Sequence, residues 1–141
     1  SMRTVFSFRE EGRNIHFNSE EAFIFSYPFP AYQYDLLQNA LQGLGEHNAF
    51  VGQHVSRGER SMLEMFQDVA KAYRERELFL FAPFDAMYAG IRATLNTGLI
   101  RAINQAENNL DDELSKRVLK ALLLVKYVDG YMIAKNKIVN R

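Results

Sequence analysis

Apolar residues recur at helical spacing through most of the chain. The clearest run is Ser56 to Tyr73, where Met62, Leu63, Phe66, Val69, Ala70 and Tyr73 form one apolar face. Arg60, Glu64, Gln67, Lys71 and Arg74 fall on the opposite face. Ser56 and Glu59 have capping-box spacing, so the spacing predicts an amphipathic helix with a defined start. Ala31 to Leu41 predicts another helix, with Leu36, Leu37, Ala40, Leu41 and Leu44 as its buried stripe and Gly43 and Gly45 as its end. Phe84, Met87, Tyr88, Ile91 and Leu95 continue the helical pattern after Pro83. Asn96-Thr97-Gly98 interrupts or bends it, and Leu99, Ile100, Ile103, Ala106 and Leu110 resume it. Asp111 is the expected N-cap of a last helix reaching about Val128, which Asp129-Gly130 ends.

Nearer the start the period changes. Thr4 to Phe8 and Ile15 to Phe17 alternate, with turn residues at 10–14 between them, and predict a short hairpin. Asn18 and Glu21 suggest a short helix to Phe25, stopped by Tyr27-Pro28 because a residue before proline avoids the helical region. The fold expected is mainly α, a helical bundle with a small N-terminal β-hairpin. It divides into 1–26, the hairpin and short helix; 27–77, the central helical region; and 78–141, a C-terminal helical region. One core is expected to hold Leu36, Leu37, Met62, Leu63, Phe66, Met87, Ile91, Leu119 and Leu122.

Composition narrows the chemistry. At 141 residues with 48% hydrophobic side chains, 11 Phe and 7 Tyr, the chain can fill one core. No cysteine is present, which excludes disulfides and thiolate metal sites and is compatible with a cytoplasmic protein. No apolar run has the length of a membrane span, so no membrane partner is expected. Acids and bases balance at 17 each, yet from Lys116 onward only Asp129 offsets Lys116, Arg117, Lys120, Lys126, Lys135, Lys137 and Arg141. Those cations, Lys116, Arg117, Lys120 and Lys126 first, are the candidate contacts to nucleic acid.

Other candidates are weak. His16, His47 and His54 have no metal-ligand spacing, and no metal is expected. Ser56 and Ser61 lack a nucleophile elbow. Tyr27, Phe29, Tyr32 and Tyr34 form an aromatic cluster more suited to a core or interdomain contact than to base stacking. No G-x-x-x-x-G-K-[ST] cradle for phosphates occurs, so the chain by itself is not expected to be an ATPase.

Two resemblances add to this reading. Gly58-Glu59-Arg60 followed by Met62-Leu63-Glu64-Met65-Phe66 and Val69-Ala70 resembles the motif that opens a lid helix in AAA+ ATPases. There an arginine, matched here by Arg60, senses the nucleotide γ-phosphate. Arg60 follows Glu59 directly, without the intervening residue of the AAA+ pattern, and Arg57 is a second candidate. Residues 27–38, 58–63 and 118–128 are similar, in order, to three blocks of the large P-loop ATPase of BREX phage-defence systems (the BrxC/PglY family). This resemblance implies an AAA+ lid-like piece of a larger protein that binds ATP and Mg elsewhere. Its partners would be the upstream ATPase core, downstream domains of the same parent and other BREX components. Its role would be to couple nucleotide state to those domains. The alternatives are a nucleic-acid-binding module using the basic C-terminal helix and tail, with DNA as partner, or an oligomerisation scaffold using the apolar surface of Leu78 to Phe84.

Overall fold

The computed structural model describes residues 19–52, 58–74 and 80–128. These residues are mainly helical: α1 (Glu20–Ser26), α2 (Tyr32–Glu46), α3 (Gly58–Tyr73), a 3-10 turn (Phe84–Met87) running into α4 (Tyr88–Arg92), α5 (Thr97–Asn108) and α6 (Glu113–Val125). Extended pairing among the described residues is limited to one antiparallel bridge, Phe50 with Leu95. The expected hairpin, and the Ser56 cap, lie outside the described residues.

Helix starts follow local chemistry, shifted by one residue in two places. Ser19 caps α1, its hydroxyl accepting from Ala22 N at 3.1 Å. Asp112, rather than the expected Asp111, caps α6, with Oδ1 accepting from Ser115 N at 2.8 Å. Asn96 does interrupt the 84–110 run. Its Oδ1 caps α5 through Leu99 N at 2.8 Å, its N–H donates to Ala49 O at 2.7 Å, and its Nδ2 donates to Asn48 O at 2.9 Å. One side chain thus starts a helix and pins the loop after α2.

α2 runs five residues beyond its expected end. Gly43 and Gly45 lie inside it, and the left-handed terminal position is taken by Asn48, at φ 54°. Ala49 N donates to Leu44 O at 2.9 Å and Asn48 N to Gly45 O at 3.1 Å. That is the Schellman pattern, which satisfies the carbonyls left free at a helix end. Ala49 and Leu44, both buried, supply its usual apolar contact.

The core is a closed ring of contacts. α2 touches α3 and α6, and the 84–92 segment touches the same two helices, while α5 packs on α6. Leu37 and Leu44 from α2, Met65, Phe66 and Val69 from α3, Met87, Tyr88 and Ile91, then Leu95, Ile103, Leu123 and Leu124 form the main cluster. Leu36 and Ala40, on another face of α2, meet Val128. Buried Gln33 ties in the 80–83 stretch: its Nε2 donates to Ala82 O at 2.9 Å, and Ala82 N donates to Pro28 O at 2.9 Å. Of the expected core, Leu36, Leu37, Phe66, Met87 and Ile91 are buried, and Met62 and Leu119 pack at its edge.

Leu63 and Leu122 are corrections, at 59% and 42% exposure. On α3 the inward position belongs to Met65, because α4 brings Gly90 directly against the Met65 side chain. On α6 it belongs to Leu123 and Leu124. Leu37→Ala should therefore lower stability by about 2–5 kcal/mol, and Leu63→Ala by under about 0.5 kcal/mol, in urea unfolding.

Gly43 marks a close approach between α2 and the turn that follows α6. A Cβ there would overlap the Tyr127 backbone carbonyl, whose carbon would lie at 2.9 Å. Alanine ordinarily gains about 1 kcal/mol over glycine inside a helix. Here that gain is opposed by overpacking against backbone, about 1–3 kcal/mol. Gly43→Ala is thus expected to lower the denaturation midpoint. Gly90→Ala, whose Cβ would run into Met65 near the root of that buried side chain, is expected to lower it as well. An unchanged midpoint for Gly43→Ala would contradict this account.

Candidate functional site

The sequence singled out two places, the start of α3 and the cations of α6. Arg60 falls in the first helical turn of α3, where free N–H groups favour an anion. The Arg60 side chain and Arg57 lie outside the described residues.

Lys116, Arg117, Lys120 and Lys126 are all described, whereas Lys135, Lys137 and Arg141 lie outside the described residues. Arg117 makes a two-pronged pair with Asp85, Nε to Oδ2 at 3.0 Å and Nη2 to Oδ1 at 3.2 Å. Lys120 Nζ lies 2.8 Å from Glu107 Oε1 and 5.9 Å from the centre of the buried Tyr88 ring. Lys116 pairs with Glu113 at 2.9 Å. Lys126 stands 4.9 Å over the Tyr127 ring. Three of the four cations are therefore matched to acids of this chain. Charge read along the sequence missed Asp85 and Glu107. They are 32 and 13 residues from their partners, so spacing within one helix gives no signal of them.

Tyr88 sits where α4, α5 and α6 meet. Burial raises its phenol above the ordinary value, with Arg92, Glu107 and Lys120 as the charges around it. Arg92 Nη2 donates to Asn104 Oδ1 at 3.2 Å, linking α4 to α5. This polar seam holds three helices in register.

The aromatic cluster is structural. Phe29 meets Phe66 edge-on at 4.8 Å, and Tyr34 stacks on Phe66 at 4.4 Å between ring centres. Tyr27 packs near Phe23 and Phe81. Phe29 and Tyr34 thus belong with Phe66, Tyr27 with Phe23 and Phe81, and Tyr32 with the cluster of Leu36, Ala40 and Val128. Of the apolar 78–84 stretch, Ala82 is buried and Phe81, Pro83 and Phe84 are half-buried, which leaves Leu80 as its exposed apolar residue among those described. His47, expected in a loop, ends α2: Nδ1 lies 2.9 Å from Gly43 O and the ring stacks on Tyr127 at 3.9 Å. His16 and His54 lie outside the described residues. Among those described, no three His, Asp or Glu side chains gather as metal ligands would. No described helix is long and apolar enough to cross a membrane.

No protein-family model matches this chain, and no solved structure does.

The start of α6 has a definite pH response. Hydrogen bonds from Ser115, its hydroxyl first and then its N–H, hold the Asp112 carboxyl below the usual range. A hydrogen bond from Lys116, then its charge, does the same for Glu113. A carboxyl lowered on folding contributes stability above its unfolded pKa, about 4, and loses it as pH falls through the lower folded value. The first turn of α6 should thus loosen below about pH 4. Asp112→Asn keeps a capping oxygen without a titrating proton. It should flatten this acid limb when amide exchange of residues 113–116 is followed by NMR.

Proposed function

We propose that this chain is a non-catalytic helical domain of a BREX-type phage-defence ATPase. It couples the nucleotide state of an upstream P-loop core to downstream domains. The observation that carries this reading is how the three resembling blocks relate in the core. Phe29 and Tyr34 of the first pack on Phe66, in the helix that the second block opens. Leu36 of the first packs with Val125 and Val128 of the third. Three stretches far apart in sequence are thus neighbours in one packed unit, an arrangement compatible with a lid that moves as a body.

The chemistry of the role is limited. The chain has no phosphate cradle, so ATP and Mg would be held by the parent's core. This domain would contribute Arg60, with Arg57 as second candidate, from the N-terminal end of α3. A guanidinium there would respond to the γ-phosphate, and its loss on hydrolysis would release the lid. The DNA-binding alternative draws less support, because Lys116, Arg117 and Lys120 are already paired.

Two measurements test the proposal. Calorimetry of the isolated chain with ATP should show no micromolar binding; stoichiometric micromolar binding would overturn the coupling reading. In the full-length ATPase, Arg60→Ala should lower turnover on the order of 10²-fold while ATP is still bound. Unchanged turnover would remove Arg60 from the mechanism.

A further inference from the structure

Among the described residues, α6 has an apolar face that stays exposed. Leu114, Val118 and Leu122 are 67%, 48% and 42% exposed. Spaced four residues apart, they advance by only about 40° per step and form one stripe about 12 Å long. The opposite arc carries Leu123 and Leu124, with Lys116 and Lys120 between them in angle and Arg117 beside Leu124, held by Glu113, Glu107 and Asp85 in turn. The stripe is thus free of charge along its length and charged at its two ends. Exposed Asp111 stands before the helix, and exposed Lys126 stands after it. Among the described residues neither forms an ion pair.

We propose that this stripe is a self-association surface, on which a second copy of the chain packs its own α6 antiparallel about a twofold axis at Val118. With that axis, Val118 meets Val118 and Leu114 meets Leu122 of the partner copy. The acidic start of each α6, with exposed Asp111 just before its cap, then lies at the same end of the pair as Lys126 of the other copy. The surface is therefore self-complementary in shape and sign, as a twofold interface requires. A parallel pair would set Asp111 against Asp111, Lys126 against Lys126, and like helix dipoles side by side. A stripe of three residues per copy is small for a permanent interface, so the dimer is weak and concentration-dependent. Nothing in this inference rests on the ATPase reading.

Because the chain contains no cysteine, single thiols report cleanly. Light scattering should show the apparent mass rising towards twofold with concentration, and Val118→Glu should return it to the monomer without changing the circular dichroism. Under mild oxidation Val118→Cys should form a disulfide dimer. Leu114→Cys mixed with Leu122→Cys should cross-link to each other, and Leu114→Cys alone should not. A wild-type chain that stays monomeric at all concentrations, with Val118→Cys uncross-linked, would overturn the proposal and assign the stripe to another segment of this chain or to a different protein. Cross-linking of Leu114→Cys to itself would overturn the antiparallel arrangement.

Discussion

The contact between Gly43 and the Tyr127 backbone sets how the rest of the molecule is arranged. It lets the last turns of α2 come against the end of α6 with no side chain between them. From that point the two helices share Leu36, Ala40, Val125 and Val128 on one side, and Leu37, Leu44 and Leu124 join the main core. His47 then lies flat on Tyr127, and Asn48 turns the chain back so that Ala49 and Val51 can pair with Asn96 and Thr94. A helix that is a little weaker for its glycine is accepted because the approach it permits organises both ends of the ring.

α6 shows how one helix can carry three kinds of surface. Its inner arc is apolar and buried, and most of the favourable free energy of its docking comes from there. Ion pairs, individually small in energy, interleave and border that arc. Their larger effect is on geometry and field: Arg117 is fixed by two bonds to Asp85, and the positive charge of the helix is spent within the chain. Its outer arc is apolar again, and nothing among the fold's own described contacts needs it.

Under the proposed coupling role these features belong together. A lid must move as one body, so its helices need cross-links that do not depend on the nucleotide. The ring formed by α2, α3, the 84–92 segment and α6 supplies these through aromatic packing on Phe66 and through the polar seam around Tyr88. The first turn of α3, which bears Arg60, extends from that frame.

Much of this was legible from the residues alone, because helical period and capping chemistry are local. The stripes of α2 and α3, the stop at Pro28, the break at Asn96 and the helix before Val128 all follow from neighbours within a few positions. What only tertiary structure decided involved residues far apart in the chain. Whether Gly43 ends a helix or lies inside one depends on Tyr127. Whether Met65 or Leu63 faces inward depends on Gly90. Whether Lys120 and Arg117 are free cations depends on Glu107 and Asp85. In each case the local pattern left two outcomes open, and the fold shows a contact from elsewhere in the chain with one of them.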